Sequence, residues 1–295
     1  IQNDTTSLAD NRLKVLYVDK KGRLWVGTDN GLCRYDFQKN NFIHYNKILD
    51  TENHFQSQLI RAICEDSSGN IWIGTWFGLI KLNPETNEYK YYYSNASDPN
   101  SLSSSYIGSV YLDKENNIWI ASNGNGIWKY DGKNFEVIYS KSDRYQNLNN
   151  FSAFCDKDNR IWIGRKGSIV RFSNGKEDYF VPNNNINNLY LNFIQDDSGI
   201  IWVASNDGVF KFENGKFVLD NSLSLKYSRS LYLDSKKRLW AGSYGNGIII
   251  KSNKKYFSLT EKEGLYNNII SAIVEDGKGN YWFSTNKGIF KIQSA

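Results

Sequence analysis

The sequence predicts an all-β chain folded as a seven-bladed β-propeller, and three observations carry that reading. The first is a repeated unit: an Asp, a short polar turn, then an apolar strand centred on Trp. Asp66-Ser67-Ser68-Gly69-Asn70-Ile71-Trp72-Ile73-Gly74-Thr75 shows it in full. The second is its period. The unit occurs seven times, at Trp25, Trp72, Trp119, Trp162, Trp202, Trp240 and Trp282, with steps of 47, 47, 43, 40, 38 and 42 residues. A period of about 40–50 residues in a β-rich chain marks a propeller, one blade per repeat. The third is a fixed offset. An Asp stands six residues before every Trp: Asp19, Asp66, Asp113, Asp156, Asp196, Asp234 and Asp276.

Each repeat reads as four strands, A to D. In the second copy these cover 59–65, 71–75, 79–82 and 88–93. The A–B turn carries Gly or Asn three positions before the Trp in six copies (Gly22, Gly69, Asn116, Asn159, Gly199, Gly279), with Lys237 in the other. Gly and Asn accept the positive φ that tight hairpins require. The Asp opening the turn can accept bonds from its own downstream amides as an Asx-turn. A calcium loop needs further carboxylates, which this turn lacks. Strand B ends in small residues such as Gly74-Thr75, except for Gly164-Arg165 in the fourth copy. A Gly closes every B–C turn, and strand D is aromatic, as in Asn41-Phe42-Ile43-His44-Tyr45. The seven Trp side chains are expected in the core between adjacent blades, since each can bury about 150–250 Å².

The repeat runs from end to end, so residues 1–295 form one domain. The last copy offers strand C over 289–292 and then stops, so the seventh blade is expected to be incomplete. Asp4-Thr5-Thr6-Ser7-Leu8 lines up with Asp98-Pro99-Asn100-Ser101-Leu102, a D-to-A link, which places the missing strand D upstream of Ile1. With no Met anywhere, the chain reads as a piece of a longer protein. Long D–A links, 46–58, 94–106 and 140–149, gather among the first four blades.

Composition excludes several classes. Hydrophobic residues make up 40% and charged residues 23%, which suits a globular domain rather than a disordered one. The net charge of +5 is scattered over all seven repeats, so the clustered basic face of a nucleic-acid binder is missing. No apolar run approaches the ~18 residues of a membrane span, so no membrane contact by this chain is expected. Cys33, Cys64 and Cys155 form no CxxC pair and fall at strand positions, where buried free thiols are expected. The two histidines, His44 and His54, form no readable Ser/His/Asp or Cys/His set and no metal spacing. No catalytic residue, metal or cofactor is expected.

The unit Asp-x-x-Gly-Asn-Ile-Trp-Ile-Gly-Thr-x-x-Gly-Leu, spanning Asp66 to Leu79, resembles the regulator-propeller repeat. Residues Glu263-Gly264-Leu265 through Thr285 resemble it again. That repeat builds the periplasmic sensor region of hybrid two-component systems in glycan-degrading bacteria. The resemblance implies one propeller of a periplasmic, dimeric oligosaccharide sensor. Other domains of the same protein, the kinase among them, would lie outside this chain. It transfers no ligand-binding motif.

The residues themselves point to binding rather than catalysis. In a propeller the D–A links, the B–C turns and the entry end of strand A share one face. Five positions before each Asp, the column Lys14, Arg61, Gly108, Phe151, Leu191, Arg229 and Ser271 varies, which suits a surface or channel position. Three members are basic, and Arg165-Lys166 lies at a B–C turn of the same face. Arginine suits carboxylate or sulfate groups. Trp76, Phe77 and Tyr244 occupy other B–C turns, where an aromatic ring can stack on a sugar. The expected ligand residues are therefore Lys14, Arg61, Trp76, Phe77, Arg165, Lys166, Arg229 and Tyr244, and an acidic oligosaccharide is the expected ligand. Two alternatives stay open: a scaffold whose face binds another protein or domain, and a propeller-type lyase, which would need a general base near the channel.

Overall fold

The computed structural model describes residues 6–45, 59–95, 97–98, 101–102, 106–122, 126–139, 150–173, 175–223, 225–253 and 255–293. The fold is a seven-bladed β-propeller of antiparallel sheets; six are four-stranded and the seventh, among the described residues, is three-stranded. Blade two runs Ile60–Glu65, Ile71–Thr75, Leu79–Leu82 and Tyr89–Tyr92 as strands A to D, within a residue or so of the expected bounds. Blade six runs Ser228–Leu233, Leu239–Ser243, Ile248–Ser252 and Lys255–Leu259. Blade seven has Ala272–Glu275, Tyr281–Thr285 and Gly288–Ile292. Two compact units carry the blades: residues 1–148 with Asp276–Lys278, and 149–275 with 279–295.

The Asp-to-Trp offset has a direct cause. In six blades the Trp indole Nε1 donates to Oδ2 of the Asp six residues earlier, at 2.7–3.0 Å. The other oxygen holds the turn. Asp66 Oδ1 accepts from the amides of Ser68 and Asn70 at 3.0 and 2.9 Å. Arg23, Arg160 and Arg238 add their Nε to the carboxylate at 2.6 Å. One carboxylate thus folds the turn and satisfies a buried indole, which would otherwise cost about 1–3 kcal/mol. The Asx-turn expectation holds, and the indole bond is the part it lacked. All seven turns place a residue at positive φ three positions before the Trp, including Lys237 at 63°.

Core lies between blades within each unit. Trp25 packs with Ile60, Ile71 and Leu82 of blade two, and Trp72 with Ile107 and Trp128 of blade three. Trp162 meets Phe212 and Phe217 of blade five, with centroids at 5.0 and 5.7 Å. Trp240 stacks on Tyr281 of blade seven at 4.6 Å. All seven Trp are buried. Blades are also latched through polar groups: the residue after the Asp donates its amide to the last side chain of the next strand A. Lys20 to Glu65, Lys157 to Gln195 and Ser235 to Glu275 are each 2.7 Å. The small residues late in strand B leave room for the next blade. A Cβ on Gly164 would stand 2.1 Å from the Tyr190 carbonyl oxygen.

Cys33, Cys64 and Cys155 are buried free thiols. Thr6 and Ser7 lie on the outer strand of blade one: the Thr6 carbonyl accepts from the Phe42 amide at 2.8 Å, and the Ser7 carbonyl is 2.6 Å from His44 Nε2. Asp4, Thr5, His54, Pro99, Asn100 and the links 46–58 and 140–149 lie outside the described residues.

Candidate ligand-binding site

At the end of strand A opposite the Asp, six blades carry a β-bulge. In blade two Ile60 pairs with Thr75 and Ala62 with Gly74, leaving Arg61 as the extra residue. The other extra residues are Lys14, Gly108, Phe151, Leu191 and Arg229. These are six of the seven members of the variable column. A bulge residue is left out of the ladder, its side chain is re-aimed, and such bulges gather at barrel rims and active sites. The column varies because sheet pairing does not use it.

In blades one, two and six the bulge residue meets the B–C turn of its own blade. Lys14 and Asp29, Arg61 and Trp76, and Arg229 and Tyr244 are each fifteen positions apart. Lys14 Nζ lies 3.2 Å from Asp29 Oδ2. The Arg61 guanidinium lies 5.3 Å from the Trp76 ring centroid, and that of Arg229 5.7 Å from the Tyr244 ring centroid. The strand before the turn ends in a hydroxyl that fixes the turn: Thr75 Oγ1 donates to the Gly78 carbonyl at 3.0 Å and Ser243 Oγ to that of Gly247 at 3.1 Å.

The eight expected residues behave differently. In the first unit, Arg61 and Trp76 come together and Phe77 beside them is exposed. Arg61 Nε and Trp76 Nε1 are buried with no hydrogen-bond partner among the described residues. Lys14 is committed to Asp29. In the second unit, Arg229 and Tyr244 come together, Tyr244 is exposed, and Arg229 Nε is likewise buried without a partner among the described residues. Arg165 ends its strand where other blades have Thr or Ser. It is buried, and its Nη1 donates to the Tyr179 hydroxyl at 2.6 Å. Lys166 is exposed and bridges to Leu189.

Two aromatics, one beside each of these pairs, are not among the eight. Tyr106 packs on Trp76 with centroids 5.0 Å apart. Tyr227 is exposed, and its carbonyl accepts from the Tyr244 amide at 2.9 Å. Both stand two positions before their bulge, a register that holds Arg12, Leu59, Leu189 and Ile269 elsewhere. Aligning that column is the signal that finds them.

Among the described residues no group of three or more His, Cys, Asp or Glu could hold a metal ion, and no helix is long and apolar enough to cross a membrane. His44 sits in an outer strand with Nε2 against a backbone carbonyl.

Residues 7–30, 54–77, 101–124 and 264–287 match the family model described as two component regulator propeller. Those four stretches are regulator-propeller repeats. The chain is similar to the extracellular domain of a hybrid two-component system from B. thetaiotaomicron, with 25% identity and a TM-score of 0.84. That match covers 98% of this chain and 41% of the other, so the chain spans about two fifths of its relative's length. Virginiamycin B lyase from Staphylococcus aureus shares the fold, with 14% identity, a TM-score of 0.74, and coverage of 99% of this chain and 96% of that one. So does PorZ, a surface component of the type-IX secretion system of Porphyromonas gingivalis, with 15% identity, a TM-score of 0.74, and coverage of 100% and 48%. No curated protein matches the chain in sequence.

Proposed function

We propose that this regulator propeller is the ligand-sensing, extracytoplasmic part of a hybrid two-component signalling protein, and that it recognises an oligosaccharide. The observation that carries the first half is the similarity to an extracellular two-component domain along nearly the whole chain. The second half is supported by the rim. Arg61 with Trp76, and Arg229 with Tyr244, each pair a guanidinium with a ring beside a bulge, in two separate blades. Phe77 is exposed next to Trp76, and Lys166 is exposed at the B–C turn of blade four; Lys14 and Arg165 are held by Asp29 and Tyr179 in their own blades. The chain binds and does not catalyse; the kinase and the other domains lie elsewhere in a periplasmic, dimeric sensor.

Calorimetric titration of the chain against neutral and acidic oligosaccharides tests this. Saturable binding, weakened by Arg61→Ala or Tyr244→Ala, is expected. Failure of every saccharide to bind, together with tight capture of a periplasmic domain of the same protein, would replace the sensor with the scaffold reading. Turnover of virginiamycin B would replace it with a lyase.

A further inference from the structure

We propose that Tyr227, Tyr244 and Arg229 of blade six form a subsite for one acidic sugar residue. The ring lies on the tyrosines and its carboxylate or sulfate meets the guanidinium. This rests on the oligosaccharide reading above and names the chemistry of one subsite.

The strongest observation is the Tyr227 backbone, which is left-handed at φ 57°. For an L residue with a bulky side chain this costs about 1–2 kcal/mol. Of the eight non-glycine residues recorded at positive φ, six are Asn, which tolerates the conformation; the others are Lys237 and Tyr227. The conformation itself has a structural use. The Tyr227 amide donates to the Asn206 carbonyl at 2.7 Å and its carbonyl accepts from the Tyr244 amide at 2.9 Å, so one peptide ties two B–C turns together. That use calls for a left-handed residue, and Gly or Asn would supply it without the strain. The Tyr side chain gains little from burial, since Tyr227 is 53% exposed. Strain at an exposed aromatic is the pattern of a residue held for contact with something else.

Its neighbours supply the rest. Tyr244 is 54% exposed and bonded to Tyr227 through the backbone. The Arg229 guanidinium lies over the Tyr244 ring and makes no ion pair among the described residues. The arginines of the A–B turns differ: Arg23, Arg160 and Arg238 each lie 2.6 Å from an Asp oxygen. Lys226, next to Tyr227, is exposed and adds a second positive charge. Two wet aromatic faces beside unpaired cations fit a ligand with an apolar C–H face and an anionic substituent. A pyranose acid has both. Tyr hydroxyls can also serve its ring hydroxyls, since Tyr presents an apolar body and a polar tip. An acidic peptide offers the charge without the flat apolar face.

The test uses the whole chain, with tetragalacturonate, maltotetraose and tetraglutamate as probes. Tetragalacturonate is expected to bind more tightly than maltotetraose, by a margin that shrinks with added salt. Arg229→Gln is expected to remove that margin, at a cost of about ten- to a hundredfold in tetragalacturonate affinity. Tyr227→Gly is expected to weaken tetragalacturonate by about tenfold while the melting temperature stays level or rises, because the strain is relieved. Tyr227→Asn keeps the left-handed backbone without the ring and should lose the same affinity. If tetragalacturonate binds all three variants as it binds the parent, blade six is the wrong site, although the oligosaccharide reading survives. If tetraglutamate binds better than tetragalacturonate and loses that binding in Arg229→Gln, the subsite is for peptide. If no saccharide binds the parent chain, both readings fall.

Discussion

The two ends of each A–B hairpin follow opposite rules. At one end an Asp carboxylate clasps its own turn and the Trp indole, in almost the same geometry from blade to blade. At the other end, in blades one, two and six, a bulge presents Lys14, Arg61 or Arg229 to a B–C turn that carries Asp29, Trp76 or Tyr244. The difference follows from burial. The clasp lies where blades pack, so every polar atom must find a partner. The bulge lies at a rim, where a side chain can change without disturbing the ladder. Stability is thus concentrated at one end, with the proposed recognition at the other, and substitutions can test that division.

The largest effect is expected from Trp162→Ala. Trp162 is fully buried against Phe180, Phe212 and Phe217. Its removal should cost about 3–5 kcal/mol in denaturant unfolding. Asp66→Ala comes next. It orphans the Trp72 indole and the amides of Ser68 and Asn70, for a loss of about 2–4 kcal/mol. A loss at either position no larger than that of a rim variant would erase the proposed division.

Acid should sharpen the same contrast. Burial pushes the Asp66 carboxyl up, but bonds from the Trp72 indole and from the Asn70 side chain and amide outweigh it and hold it below the ordinary 3.8. Asp234 is likewise raised by burial, lowered by Trp240 and Arg238, and ends below 3.8. A carboxyl depressed in the folded state contributes stability above its unfolded value and loses it as pH falls through the folded one. Melting temperature should therefore drop as pH falls from 3.8 downward. Asp66→Asn should flatten that drop, whereas Arg61→Ala should leave it unchanged.

Two smaller changes probe details. Lys237→Gly relieves the left-handed strain at 63° and gives up an exposed ion pair with Asp197. A net gain of about 0.5–1 kcal/mol is expected. Arg61→Ala removes only a contact over Trp76 and should cost about 0.5–1 kcal/mol, while weakening ligand binding far more. An Arg61→Ala loss as large as that of Asp66→Ala would mean the rim is structural.

The sequence by itself determined the blades, because their rules are local. A hairpin needs its left-handed residue three before the Trp, its Asp six before, and its Gly after strand B; the last two are legible in all seven repeats and the first in six, with Lys237 the exception. The buried Trp column and the free thiols follow from the same periodicity. Tertiary structure alone decided what each side chain of the rim does. Lys14, Arg61 and Arg229 share one sequence column, yet Lys14 is tied to Asp29 while the two arginines lie over rings, because the partner fifteen residues on differs. Arg165 shares the chemistry of Arg61 but ends a strand rather than forming a bulge, so it is buried against Tyr179. Tyr227 carries no Gly or Asn signature, and its left-handed backbone is imposed by carbonyl and amide partners in two different turns. Pairings between blades depend on how the sheets dock, and no single repeat encodes that.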